Sequence, residues 1–161
     1  MENIQSYFCS LFDYKNGNLY WKVSRSNRIK IGQIAGTTPK DQRTRISIDH
    51  KIFLIHRIIF AMQHGFMPKY IDHIDGNTKN NCIENLREAK FNENVQNSKI
   101  RIDNTSGIKG VSWNKNKKKW DAVISKNNKK FFIGRFQNLE DAKTAINKQR
   151  KILHGNFARF Y

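Results

Sequence analysis

Ile71-Asp72-His73-Ile74-Asp75-Gly76-Asn77 is the stretch on which the reading of this chain turns. It opens with an apolar residue, an acid and a histidine, and runs into an Asp-Gly turn. Downstream stand Asn80-Asn81-Cys82-Ile83-Glu84-Asn85-Leu86-Arg87 and Phe91-Asn92-Glu93-Asn94-Val95-Gln96-Asn97. Hydrolysis of a phosphodiester needs a base for water, a cation for the phosphate and leaving oxygen, and a frame that aligns them. A neutral histidine suits the first task near pH 7, its ordinary pKa being about 6.5. The adjacent Asp can hold a hard divalent cation through oxygen, and an Asn carbonyl can supply a second oxygen. Mg²⁺ often takes only one or two protein ligands, so two oxygens and one histidine suffice. Singly, each piece reads otherwise: an Asp-His pair as a surface loop, Asn-rich runs as turns and caps, Asp75-Gly76 as a turn former. An EF-hand counted from Asp75 lacks its glycine and closing glutamate on schedule. His50, His56, His64 and His154 have no such neighbours and read as structural or surface residues.

Around this segment the 161-residue chain holds 30 Lys/Arg against 13 Asp/Glu, a formal net charge of +17. Its hydrophobic content of 38% and aromatic content of 12% are too rich for an unstructured polycation. The excess charge is uneven. Residues 1–98 carry 14 basic against 9 acidic side chains, and residues 99–161 carry 16 against 4. That asymmetry predicts a basic binding module at the end of the chain and a different task upstream, with nucleic acid as the simplest polyanionic partner. No apolar run reaches the ~18 residues of a membrane span, and Met1-Glu2-Asn3-Ile4-Gln5 does not begin a signal peptide. Cys9 and Cys82 stand alone, which excludes a Cys-x-x-Cys zinc ribbon and argues against a disulfide framework. The expectation is a cytoplasmic protein of the host-cell interior or nucleoid, with no membrane association and no obligate protein partner evident.

Periodicity outlines the elements. Asn16-Gly17 between Tyr14 and Tyr20-Trp21 predicts a β-hairpin, so residues 1–50 read as an N-terminal hairpin region. Residues 43–48 alternate like a half-buried strand, Asp49-His50-Lys51 turns, and residues 52–55 return. Ile55, Ile58, Ile59 and Met62 then fall at helical spacing up to Gly65. Residues 101–107 are polar, end in glycine and read as a linker. Beyond it, residues 108–113, 119–125 and 130–135 predict three strands, with an Asn127-Asn128 turn between the last two. Asn138 is placed to cap a helix with the inner stripe Leu139, Ala142, Ala145, Ile146, Gln149, Ile152 and Leu153, stopped by Gly155. Strand alternation puts Val111, Trp113, Trp120, Ala122, Ile124, Phe131 and Ile133 on the helix side. The opposite face then carries Ser112, Asn114, Asp121, Val123, Ser125, Lys130 and Phe132, with Lys109, Lys115, Lys117, Lys118 and Lys119 at the first turn. Small polar residues edged by lysines suit a DNA groove and its phosphates, so Lys109, Ser112, Asn114, Lys115, Lys117, Lys119, Ser125 and Lys130 are the candidate DNA contacts.

Taken together, His56-Arg57, residues 71–77, Asn81 to Arg87 and Asn92-Glu93-Asn94 closely resemble the HNH motif of phage and intron-borne homing endonucleases. The resemblance implies a ββα-metal module over residues 51–100: a strand ending at Asp72-His73, a loop, a strand near Leu86 and a helix through Asn94. It implies His73 as the base that activates water and Asn85 as the brace of the loop, orienting His73 through hydrogen bonds. Asp72 and Asn94 would hold a divalent metal, Mg²⁺ first and Mn²⁺ as the alternative, with Asn97 second to Asn94. Residues 105–160 resemble a second family, the APETALA or ethylene-response-factor DNA-binding domain, through Ser106 to Trp113, Lys119 to Ile124, Ile133 to Phe136, Glu140-Asp141-Ala142 and His154-Gly155, which implies a DNA-binding module over residues 108–161. That family lays its sheet in the major groove, although Ser112, Asn114 and Ser125 stand where long basic residues would be expected. The whole reads as an α+β chain: a ββα-metal nuclease module followed by a three-stranded antiparallel sheet packed on one helix. The implied function is a metal-dependent endonuclease acting on double-stranded DNA. A non-catalytic DNA-binding regulator is the alternative, and an RNA-binding protein comes last for want of an aromatic recognition signature.

Overall fold

The computed structural model describes residues 3–40, 43–90, 100, 102–127, 129–158 and 160, with the backbone alone at Asn156. It divides into two compact units, Met1–Ala89 and Lys90–Tyr161. Together their described residues hold small antiparallel sheets and three α-helices.

The first unit opens with helix α1, Ile4–Leu11, which the hairpin reading of residues 1–50 did not anticipate. Its signal lies in the sequence: Asn3 caps it by accepting from the Gln5 amide at 3.2 Å, and Ile4, Tyr7, Phe8 and Leu11 recur at helical spacing. Strands β1, Phe12–Lys15, and β2, Asn18–Trp21, follow as the expected hairpin. Asn16 and Gly17 both have positive φ, 48° and 78°, as a two-residue hairpin turn requires. Gly17 has a second reason to be glycine. A Cβ there would lie 2.9 Å from the backbone nitrogen of Cys82, so the turn presses directly on a distant loop.

Strands β3, Arg45–Ile48, and β4, Lys51–Leu54, pair as a second hairpin and feed helix α2, Ile55–His64. Gly65 ends α2 at φ 80°, donating its amide to the Ala61 carbonyl. Ile58 and Ile59 of α2 are fully buried against Phe8, Phe12 and Leu19. Each such side chain contributes roughly 1.5–3 kcal/mol by leaving water. Onto this core are laid two short strands, β5, Ile71–His73, and β6, Leu86–Glu88, with Asp72 opposite Arg87 and His73 opposite Leu86. The strands fall where the ββα expectation puts them. Its helix through Asn94 lies outside the described residues.

In the second unit β7, Val111–Asn114, β8, Lys119–Lys126, and β9, Lys129–Phe136, form one sheet in that order, covered by α3, Leu139–His154. Gly110, at φ 80°, lets the chain pass beneath the helix; a Cβ would meet the Val123 carbonyl at 2.5 Å. The core is built from small residues, Val111, Ala122 and Ala142, beside Ile124 and Ile146. Such a core draws the helix close over the sheet centre and leaves no room there for large rings. Trp113, expected inside, is accordingly 43% exposed and leans edge-on against the half-buried Trp120 at 4.9 Å. Phe131 is exposed as well. The helix stripe also needs correction. Leu139, Ala142, Ile146, Arg150 and Leu153 follow one face by steps of three and four, so Arg150 is buried and Ile152 is 66% exposed.

Candidate active site

His73 ends β5 with its side chain 3% exposed, and Asp72 beside it is buried too. Successive strand residues point to opposite faces, so the two side chains meet different neighbours. Oδ2 of Asp72 accepts from Nε and Nη2 of Arg87, directly across the ladder, at 2.9 and 2.7 Å. His73 Nε2 lies 3.0 Å from Oδ1 of Asn81, and its ring meets the ring of His56 edge-on, centroids 5.1 Å apart. Burial is the main cause holding His73 below the ordinary histidine range; the Asn81 hydrogen bond opposes it, and the nearby Arg43 charge adds to it. His56 is pushed down to about 3, first by burial and then by the charges of His73, Arg43 and Arg57. Both rings are therefore neutral at pH 7.

The loop between β5 and β6 is tied around Asp75 and Asn85. The Asp75 amide donates to Asn85 Oδ1 at 2.9 Å, and Asn85 Nδ2 returns hydrogen bonds to Asp75 Oδ1 and the Asn80 carbonyl. Asn80 Nδ2 donates to Asp75 Oδ2, and the Asn77 amide to Asp75 Oδ1. Burial works to raise the Asp75 carboxyl, but these hydrogen bonds outweigh it and hold it below the ordinary range. Asp75 is thus a turn former, as its sequence suggested. The N-terminal hairpin supports the same loop, since Tyr14 Oη accepts from the Ile83 amide at 3.0 Å and Gly17 abuts Cys82. A cavity of about 330 Å³, lined in part by Thr38, Thr44, Ile55, Lys79 and Asn81, reaches it.

Asp72 and His73 adjoin along β5 with their side chains on opposite faces, and Asn85 directly precedes β6, while Asn94 and Asn97 fall outside the described residues. Asn85 ties the loop, but the hydrogen bond at His73 Nε2 is made by Asn81, four residues earlier. His56, which the sequence offered as a structural or surface residue and as part of the HNH resemblance, is buried and packs on His73 from the start of α2. One Asn in an Asn-rich loop carries no local mark of its partner, so only the folded loop distinguishes Asn81 from Asn80 or Asn85. Among the described residues no group of three or more His, Cys, Asp or Glu could hold a metal ion.

Residues 53–96 match the HNH endonuclease family. The chain is 40% identical over 107 residues to Protein 3.8 of Escherichia phage T7, a span of 65% of this chain and 88% of that protein. The chain belongs to that protein's family and carries an HNH endonuclease domain. No solved structure matches it. The HNH domain implies DNA as substrate, and HNH nucleases generally use divalent metal ions. At this site Oδ2 of Asp72 is engaged by Arg87. No helix among the described residues is long and apolar enough to cross a membrane.

Outside the HNH domain, the second unit presents the remaining candidates. Ser112, Lys115, Lys117, Ser125 and Lys130 are exposed; Lys109, Asn114 and Lys119 are half-buried. Asn114 is engaged within the protein, donating to Asp121 Oδ2 at 2.8 Å and accepting from the Lys117 amide. Asp121 also receives Arg135 through Nε and Nη2, at 2.6 and 3.0 Å. These hydrogen bonds from Arg135 and Asn114 hold the Asp121 carboxyl below its ordinary range, and Asp121 raises Arg135 in turn. Arg135 stands on the outer face because a bulge shifts the register between Ala122 and Val123. Unbroken alternation from Phe131 and Ile133 would have turned it toward the helix, which is why it escaped the sequence reading.

Proposed function

We propose that this chain is a metal-dependent endonuclease of the phage and homing type, acting on double-stranded DNA inside the host cell. The HNH domain cuts, and the C-terminal unit holds the duplex. The observation that carries the reading is a buried, neutral His73 adjoining the buried carboxylate of Asp72 within a domain of nuclease family. A base of this kind accepts the proton of a water as that water attacks phosphorus and the 3′ oxygen leaves. Burial keeps the imidazole unprotonated at neutral pH, so its lone pair is available. Asn85 and Asp75 hold the loop that follows His73, which fixes the ring's backbone anchor without touching the reacting atoms. Asp72 together with Asn94 would hold the divalent ion, Mg²⁺ or Mn²⁺, which supplies charge stabilisation at the phosphate and leaving oxygen.

The C-terminal unit's sheet is proposed to dock in the major groove in the manner of APETALA-type domains. Lys109, Lys115, Lys117, Lys119 and Lys130 serve the phosphates, and Ser112, Asn114 and Ser125 face the bases. Supercoiled plasmid incubated with Mg²⁺, with and without EDTA, tests the reading. Nicked or linear product that EDTA abolishes is expected. Retention of plasmid in a shifted complex without any cutting would leave the regulator alternative in its place.

A further inference from the structure

Three hydrogen bonds converge on one carboxylate of the C-terminal sheet. Ser112, Asp121 and Arg135 stand directly opposite one another on β7, β8 and β9, and the bulge after Ala122 keeps Arg135 on the outer face. Oδ1 of Asp121 accepts from Nε of Arg135 at 2.6 Å, and Oδ2 accepts from Nη2 at 3.0 Å. Nδ2 of Asn114 donates to the same Oδ2 at 2.8 Å, and the Lys117 amide holds Asn114 in turn. Both carboxylate oxygens are therefore occupied, and the guanidinium is gripped along its Nε edge. A guanidinium is a planar fork with a second usable edge, formed by Nη1 and the remaining hydrogen of Nη2. Among the described residues nothing accepts from that edge. The Arg135 side chain is 35% exposed and that of Asp121 17%, so the clamp is the inner end of the pair and the open fork the outer end. Phe132, exposed on the same face, flanks the fork with its ring 5.9 Å from the Arg135 Cζ.

An exposed ion pair adds little to stability, so this clamp is not needed to hold the sheet together. Nor is it suited to a phosphate, because a guanidinium already matched by a carboxylate attracts a second anion weakly. Its directed hydrogens are undiminished. In the major groove guanine presents two acceptors side by side, O6 and N7, which match two parallel N–H groups; adenine sets a donor beside N7 and meets one of those hydrogens with another. We infer that Arg135 is a specificity-determining residue that takes O6 and N7 of one guanine through its Nη1–Nη2 edge, with Asp121 and Asn114 as positioning residues that hold the fork. The inference deepens the docking of the C-terminal sheet proposed above and rests on it. An arginine held beforehand loses less rotational freedom on binding than a free one, and a wrong base cannot be met by swinging the side chain aside.

The test uses the full chain in EDTA, so that the DNA stays whole, and selects bound duplexes from a randomised pool. Wild type is expected to enrich a guanine that Arg135→Ala does not, with the other preferred positions unchanged. In the enriched duplex, replacing that guanine by 7-deazaguanine, which lacks the N7 acceptor, should weaken wild type about tenfold and Arg135→Ala by less than about twofold. Asp121→Asn loosens the fork while raising the net positive charge. It should lose most of the same preference yet bind the unselected pool at least as tightly as wild type, a pattern that a damaged sheet would not give. Absence of an enriched guanine in wild type overturns the inference, as does the same guanine enriched by Arg135→Ala. Uniform weakening of Arg135→Ala on every duplex, with a shallower salt dependence, also overturns it, since that marks a phosphate contact. Where Arg135→Ala does not fold, Arg135→Gln replaces it: a change of that position from guanine to adenine supports the inference, and retained guanine overturns it. Wild type that binds no duplex defeats the docking reading and the inference together, whereas binding with no guanine dependent on Arg135 defeats the inference alone.

Discussion

The two units handle polar side chains in opposite ways. Around His73 the first unit buries a histidine pair, the carboxylate of an Asp–Arg ion pair and two asparagines, each with a defined neighbour. Among its described residues the second unit buries one charged side chain, Arg150, and keeps its lysines half-buried or exposed around a core of small apolar residues. Burying polar groups is costly unless every one is partnered, and it yields rigid geometry in return. Exposed lysines keep their freedom and attract a polyanion at long range, without fixing any one atom. The first arrangement suits bond-breaking and the second suits holding.

That contrast predicts effects of graded size. Asp72→Ala removes the carboxylate that Arg87 holds inside the first unit, so chemical denaturation should show a loss of about 3 kcal/mol. The same change is expected to weaken cleavage most severely at limiting Mg²⁺; unaltered cleavage there would sever Asp72 from the metal role. A comparable effect is expected from pH. His56 has a folded pKa of about 3 against an unfolded value of about 6.5. The unfolded chain therefore binds the proton first. Stability attributable to this burial is complete above about pH 6.5 and falls as pH drops toward 3, at roughly 1.4 kcal/mol per unit. Melts of wild type and His56→Phe across that range should diverge, and parallel curves would show that His56 is not buried neutral. The mildest effects belong to the second unit. Lys115→Ala and Lys117→Ala should each reduce the slope of log affinity against log salt by about 0.9 if each lysine meets one phosphate. Neither should alter stability or the rate of the chemical step; a change in single-turnover cleavage at saturating protein would break the division between the units.

The sequence made much of this architecture legible. Asn16-Gly17, the Ile55 to Met62 spacing and the basic third strand of the C-terminal sheet are local signals, and the corresponding elements form where local physics directs. Asp72 and His73 were legible because an acid and a histidine at a strand end have few apolar uses. The partners of His73 were not. Asn81 reaches it across a loop, and His56 comes from a helix fifteen and more residues earlier, so neither contact has a periodicity to read. Arg135 was hidden by a one-residue bulge, which inverts strand parity without any compositional mark. Ile152 lies about 120° around α3 from Ile146, outside the buried face.

In the proposed mechanism His73 is the base. Single-turnover cleavage of supercoiled plasmid by His73→Ala, set beside its affinity for the same DNA, tests this most directly. The expected result is a rate reduced by about 10²- to 10⁴-fold with binding nearly unchanged. Cleavage at the wild-type rate, or a loss of binding equal to the loss of cleavage, would contradict it.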